Sequence, residues 1–160
     1  MPVPVARTTP AGLRIAAEPW DGPDGTALRA AQRAELEARY GADIEPGARP
    51  TADDVAVFLL ARDGTGRALG CGALRPLGAG RAELKRMYVD PDARGTGVAA
   101  ALLRALEDAA RQRGVHELLL ETGVLQPDAM RFYAREGYAP VPPFGPYVDE
   151  PTSRCYARTL

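Results

Sequence analysis

The run Arg94-Gly95-Thr96-Gly97-Val98-Ala99 has the residue types and order of an anion-binding turn. Glycine lets backbone come close to a phosphate, and the first N–H groups of a helix have no partner inside that helix. Residues 82–89 (Ala-Glu-Leu-Lys-Arg-Met-Tyr-Val) read as the strand that feeds this turn. Residues 97–113 read as the helix that leaves it, with Val98, Leu102, Ala105, Leu106 and Ala109 along one face. Each hydrogen bond to an ionised acceptor contributes roughly 1.5–3 kcal/mol. Several of them, with the Arg94 guanidinium alongside, would hold a pyrophosphate and hence a nucleotide-containing cofactor.

The elements needed to position this turn are legible around it. Residues 13–17 predict a first strand. Asp24 predicts a helix cap for residues 25–40, closed by Gly41. Residues 45–51 form a Pro/Gly-rich loop. Residues 55–62 are a buried strand that Asp63-Gly64-Thr65-Gly66 turns into a partner at 68–74, and Gly78-Ala79-Gly80 turns again into 82–89. Consecutive strands joined by short turns give an antiparallel meander. Residues 115–122 follow the helix as a strand, and a helical crossover makes that strand parallel to 82–89. A helix from Pro127 to Glu136, a short strand at 138–141, a proline-rich connection at 142–151 and a last strand at 154–160 complete the chain.

Two blocks carry a family resemblance. Arg94, Gly97 and Ala99 match the Arg-x-x-Gly-x-Ala spacing, and Met87-Tyr88-Val89-Asp90-Pro91 matches the strand end before it. Downstream, Ala129 to Tyr138 has the Tyr-x-x-x-Gly-aromatic ending at Tyr133, Gly137 and Tyr138. Together, in this order, they resemble the GCN5-related N-acetyltransferases, over roughly residues 55–160. The resemblance implies an α/β (α+β) fold. Its mixed, mainly antiparallel sheet would have about 6–7 strands flanked by about 4 helices. The parallel strands at 82–89 and 115–122 would splay apart to take acetyl-CoA, the acetyl donor. It places the donor along Met87, Tyr88 and Val89 and on Arg94, Gly95, Thr96, Gly97, Val98 and Ala99. Gln126 stands where many members carry Asn, and is a further cofactor-binding candidate, toward the pantetheine.

The activity so implied is direct acetyl transfer to a primary amine of a small molecule, peptide or protein. The amine must lose a proton, an oxyanion must be stabilised, and the departing thiolate must gain a proton. A lysine-type amine, of pKa about 10.4, costs roughly 4–5 kcal/mol to have neutral at pH 7, whereas an α-amino group near 8 costs about 1 kcal/mol. Glu83 resembles, by its spacing from Arg94, the catalytic glutamate of histone-acetylating members; burial or a water relay would equip it as the base. Glu121, on the neighbouring strand, is the alternative and a substrate-binding candidate. Tyr133 matches the family's tyrosine, a general acid beside the CoA sulfur. Backbone N–H groups near Val89 would polarise the acetyl carbonyl. Phe144 and Tyr147, in the stiff loop 142–147, are candidates for a wall of the acceptor pocket or for a cover over a sheet edge or dimer contact. Arg75, Lys85 and Arg86 are either selectors of an anionic acceptor or solvated cations.

Composition narrows the class. At 160 residues, with 46% hydrophobic and 26% charged residues, the chain suits one domain, 11–160, after a loose segment at 1–10. A net charge of −1 gives no general pull toward nucleic acid or an anionic membrane. No apolar run nears the roughly 20 residues of a spanning helix, and the N-terminus lacks a signal-peptide core, so the expected setting is cytoplasmic. Cys71 and Cys155 read as buried thiols, and His116 lacks companions for a nucleophile triad. No metal is implied. A homodimer accords with the resembling family. Two rivals remain. Gly95-x-Gly97-x-x-Ala100 with Glu121 fits a loose dinucleotide fingerprint, but an antiparallel meander precedes it. A non-catalytic acyl-CoA-sensing module of the same fold would use the cofactor residues alone.

Overall fold

A computed structural model describes residues 9–43 and 45–160; most of the segment expected to be loose, residues 1–8, lies outside the described residues. One seven-stranded sheet, in the order β1-β2-β3-β4-β5-β7-β6, forms the centre. Its strands are β1 (Arg14–Ala17), β2 (Val57–Arg62), β3 (Ala68–Gly78), β4 (Arg81–Val89), β5 (Glu117–Gly123), β6 (Ala139–Val141) and β7 (Ser153–Thr159). All neighbours are antiparallel except β4 and β5, which are parallel. Among the described residues three α-helices flank it, where about four were expected: α1 (Pro23–Tyr40), α2 (Val98–Gln112) and α3 (Pro127–Arg135). The edge strands β1 and β6 are short, and Pro140 sits where no further strand needs its missing N–H.

Strand alternation sorts the core into two layers. Phe58 and Leu60 of β2 turn toward α1, where they pack with Leu28, Cys71, Ala73 and Tyr88. Val57, Leu59 and Ala61 turn the other way and pack with Leu102, Leu103 and Leu106 of α2 and Tyr133 of α3. Those three leucines are fully buried, each contributing roughly 1.5–3 kcal/mol. α1 begins differently from expectation. Gly22 is its N-cap with Pro23 at the first turn, and no side chain caps it. The Asp24 carboxylate instead accepts a 2.7 Å bond from Arg62, an ion pair that no local pattern reveals. Both cysteines are free and buried, as expected.

Two irregularities in β4 open the sheet. The parallel ladder with β5 runs only through Arg81–Glu117, Ala82–Leu118 and Glu83–Leu119, then stops. β5 continues to Gly123 against β7, so beyond Glu83 the β5 side of β4 has no strand partner. On the other side, the β3 register jumps from Cys71–Tyr88 to Ala73–Lys85, leaving Gly72 opposite both Arg86 and Met87. This is a bulge, and Arg86 takes a left-handed φ of 57° to make it. Gly72 permits the close approach: a Cβ there would lie 2.6 Å from Leu106 Cδ1 and 3.2 Å from Met87 Sδ.

Candidate active site

The gap between β4 and β5 leads into two adjoining cavities. The larger, of about 420 Å³, is lined by Met87, Tyr88 and Val89 of β4 and by Arg94, Gly95, Gly97 and Ala99 of the turn that follows. The smaller, of about 170 Å³, lies between α1, the 42–49 loop and the upper half of β5, with Glu121 and Thr122 in its wall. Gln32, Leu36, Met87, Gln126, Ala129 and Tyr133 line both, so the two volumes meet at these residues.

The turn is built as an anion cradle. After Val89, Pro91–Ala93 forms a 3-10 turn whose Asp90 carboxylate accepts from the Asp92 N–H. Gly95 and Gly97 both take left-handed φ, 76° and 90°, a region that costs other residues strain. Among the described residues, no backbone or side-chain acceptor is bonded to the N–H groups from Gly95 to Ala100; the first to find one is Ala101, on Gly97 O at 3.1 Å. These unpartnered donors at a helix N-terminus suit a pyrophosphate. Val98 contributes only its N–H, because its side chain is buried in the core. The Thr96 hydroxyl is bonded to Ala93 O.

Arg94 is held differently from expectation. Its Nη atoms form a two-pronged pair with Glu35 at 2.9 and 3.0 Å, and its Nε donates to Val89 O at 2.9 Å. It clasps α1 to the turn, with Glu35 already neutralising part of its charge. The Met87 carbonyl likewise receives Gln32 Nε2 at 3.0 Å. Gln126, at the N-cap of α3, accepts through Oε1 from the Gly123 N–H at 3.1 Å and Tyr40 Oη at 3.4 Å, which seats it in the shared wall.

The two candidate bases differ in access. Glu83 is only 1% exposed and lines neither cavity. Its Oε1 receives Arg75 at 3.0 Å and its Oε2 receives Tyr147 Oη at 2.6 Å. Lys85 completes the cluster, donating to Tyr147 Oη at 2.9 Å and to Glu45 at 3.0 Å. Glu45 also holds Arg86; burial would raise its pKa, but Arg86 and Lys85 hold it below the usual carboxylate range. Arg75, Lys85 and Arg86 are therefore ion-paired rather than solvated. Glu121 faces the smaller cavity, accepts from Ser153 Oγ at 2.6 Å, and has its pKa pushed up by burial against the pull of Ser153 and Lys85.

Tyr133 projects from α3 into the shared wall. Its ring stacks edge-on with Phe132 and Tyr138, and burial alone pushes its phenol pKa well above the usual value. The group is therefore protonated at neutral pH, a proton donor. Phe144 and Tyr147, candidates for a pocket wall or for a cover over a sheet edge or dimer contact, line neither cavity. Phe144 stacks edge-on on Tyr147 at 5.2 Å, and Tyr147, with 0% exposure, sends its hydroxyl to Glu83 behind the wall.

The sequence reading missed the α1 contribution. Arg29, Gln32, Arg33, Leu36 and Tyr40 line the smaller cavity at helical spacing, and this polar stripe along an otherwise ordinary amphipathic helix was the available signal. Glu45, from a loop, and Ser153, at the start of β7, had no local signal.

A mixed sheet splayed at one parallel pair, with a glycine cradle at the helix that follows, defines an acyl-CoA-type transferase fold. It excludes the dinucleotide rival, whose sheet is mostly parallel where this one is mainly antiparallel. The chain matches the model of the Acetyltransferase (GNAT) family over residues 17–138 and belongs to that family. It is 40% identical over 125 residues to an IAA acetyltransferase of Azospirillum brasilense, covering 78% of each chain. It is 32% identical over 131 residues to YedL, an uncharacterized N-acetyltransferase of Escherichia coli, covering 81% of this chain and 79% of that one. A crystal structure from Klebsiella pneumoniae, named as an acyl-CoA N-acyltransferase, superposes with a TM-score of 0.81 at 36% identity over 92% of this chain and 97% of that one. The chain is accordingly an N-acetyltransferase, and these names speak for transfer rather than for a sensing module.

Proposed function

We propose that the protein transfers an acetyl group from acetyl-CoA directly to a primary amine bound in the smaller cavity. The observation that carries this reading is the meeting of the two cavities at Met87, Gln126 and Tyr133, with the unpartnered N–H groups of 95–100 at the far end of the larger one. A GNAT protein from Elizabethkingia anophelis crystallised with acetyl-CoA bound shares the fold, with a TM-score of 0.70 at 16% identity. That likeness supports the same donor here.

The residues divide the work as follows. The N–H groups from Gly95 to Ala100 hold the donor's pyrophosphate, and the open edge of β4 from Met87 to Val89 lies along the pantetheine. Acetyl-CoA supplies the activated acyl group. Glu121 accepts the amine proton. Its raised pKa makes it a better base than a solvated carboxylate. Tyr133 gives its proton to the departing sulfur. Because burial raises its pKa, that transfer is uphill and is drawn forward by reprotonation after product leaves. Glu83, tied to Arg75 and Tyr147, is a positioning group that fixes the floor under β4. A cytoplasmic setting accords with two free buried thiols.

Calorimetry of the purified protein with acetyl-CoA, followed by thiol-release assays over a panel of amines, tests the reading. Micromolar binding that is lost in Gly97→Glu, with turnover of at least one amine, is the expected result. Absence of acetyl-CoA binding would overturn it.

A further inference from the structure

Among the described residues, three buried side-chain polar atoms make no hydrogen bond: Arg29 Nη1, Gln32 Oε1 and Thr122 Oγ1. All three residues line the smaller cavity. Folded proteins leave few buried polar groups unpaired, and each asks for a partner from outside the chain. Here the orphans are a cationic donor on α1, an amide acceptor one turn along the same helix, and a hydroxyl on β5. Together they outline a ligand that accepts at one end and donates at the other.

The charges agree. Of the cations lining this cavity, Arg49, Lys85 and Arg86 are each paired with a carboxylate. Arg29 and Arg33 form no ion pair among the described residues. They stand four residues apart, on one face of α1. The Arg29 guanidinium lies 3.6 Å over the Trp20 ring, which fixes its plane, and Nη2 reaches Thr26 at 3.4 Å. Burial lowers its pKa, Cys71 and Asp21 pull it back up, and Arg86 and Arg33 add like charge, which leaves the unbonded Nη1 open to an anion. On β5, Glu121 is the complementary group for an amine.

We propose that the acceptor is a free α-amino acid. Its carboxylate is held by Arg29 with Arg33, and its amine is directed to Glu121, Gln32 and Thr122. This rests on the acetyl-transfer reading of the site. A cavity of about 170 Å³ suits a small molecule. An α-amino group, with pKa near 8, needs only the modest base that Glu121 provides. The N–C bond to the acetyl carbon forms, the thioester C–S bond breaks, and the amine proton leaves through Glu121 while the thiolate is protonated.

The test is thiol release from acetyl-CoA with each of the standard amino acids and, for every one turned over, its carboxamide. The expected result is at least one amino acid with kcat/KM roughly 100-fold above its amide, mainly through KM. The ratio should fall below about threefold in Arg29→Met, and recover in part in Arg29→Lys. Retained acetyl-CoA binding shows that each variant folds, and Arg33→Met, at an exposed position, gives a second and smaller loss. Equal turnover of acid and amide, a ratio that survives in both Arg29→Met and Arg33→Met, or turnover of no free amino acid overturns the inference. If acetyl-CoA itself fails to bind, the acetyl-transfer reading falls first; binding without carboxylate preference removes the amino acid alone.

Discussion

The two cavities are made of different material. The larger has a backbone side, the N–H groups of the 95–100 turn and the open edge of β4, contributed by one continuous segment, with α1 and α3 closing the rest of its wall. The smaller is side chain: Arg29, Gln32, Glu45, Glu121 and Thr122 come from three separate segments. A backbone site recognises what all users of the donor share, and tolerates change in its side chains. A side-chain site encodes one acceptor, and each member of its wall is an independent variable. The same fold can therefore keep its donor and exchange its acceptor.

The contrast is open to attack from its strongest point. Gly97→Glu adds a side chain where φ is 90° and puts a carboxylate among donors meant for an anion. Acetyl-CoA affinity by calorimetry should fall by at least roughly 100-fold, since several charge-assisted bonds are lost together. Affinity kept within a few-fold would end the backbone account of the larger cavity.

Glu121→Gln should lower kcat by roughly 100–1,000-fold while leaving donor affinity nearly unchanged. Glu83→Gln should lower kcat less than about tenfold. It should cost about 1–3 kcal/mol of stability in denaturant melts, because the Arg75 and Tyr147 bonds weaken around a buried group. The reverse ranking would hand the base role to Glu83. Tyr133→Phe comes next, with a loss in kcat of roughly 10–100-fold and little change in donor binding.

The pH profile separates the bases without mutation. Glu121 must be ionised to accept a proton, so kcat/KM should rise with pH through a value above the ordinary carboxylate range, and that limb should vanish in Glu121→Gln. Stability runs the opposite way. A carboxyl whose folded pKa is raised binds its proton more tightly when folded, so it favours folding below its unfolded pKa of about 4.3 and loses that advantage as pH climbs past the folded value. Glu121→Gln should therefore be slightly more stable than the parent at pH 7. The smallest effect is expected for Glu35→Gln, which loosens the Arg94 clasp at a half-exposed position and should change donor affinity by about twofold.

How much of this was readable beforehand follows the same division. The strand, glycine turn and helix around Gly95 and Gly97 were legible because chain neighbours make the whole feature, and the parallel pair followed from the helical crossover. The meander was legible from its turns. What escaped depended on distant partners. Asp24 has the right chemistry for a cap and is spent on Arg62. Arg94 fits a phosphate and holds Glu35. Glu83 lies on the expected strand, but Arg75 and Tyr147, eight and 64 residues away in sequence, close over it. No periodicity marks Arg86 as left-handed, since arginine gives no hint of the bulge that Gly72 makes room for.

Gln32 lines both cavities, and its Nε2 grips the Met87 carbonyl that both also share. Two occupants that meet at one hinge of the wall cannot be thermodynamically independent. By whatever factor the donor alters the affinity for the acceptor, the acceptor alters the affinity for the donor by the same factor. Steady-state plots against one substrate at fixed levels of the other should then intersect, as a ternary complex requires, and Gln32→Ala should draw their crossing point toward the axis of no interaction.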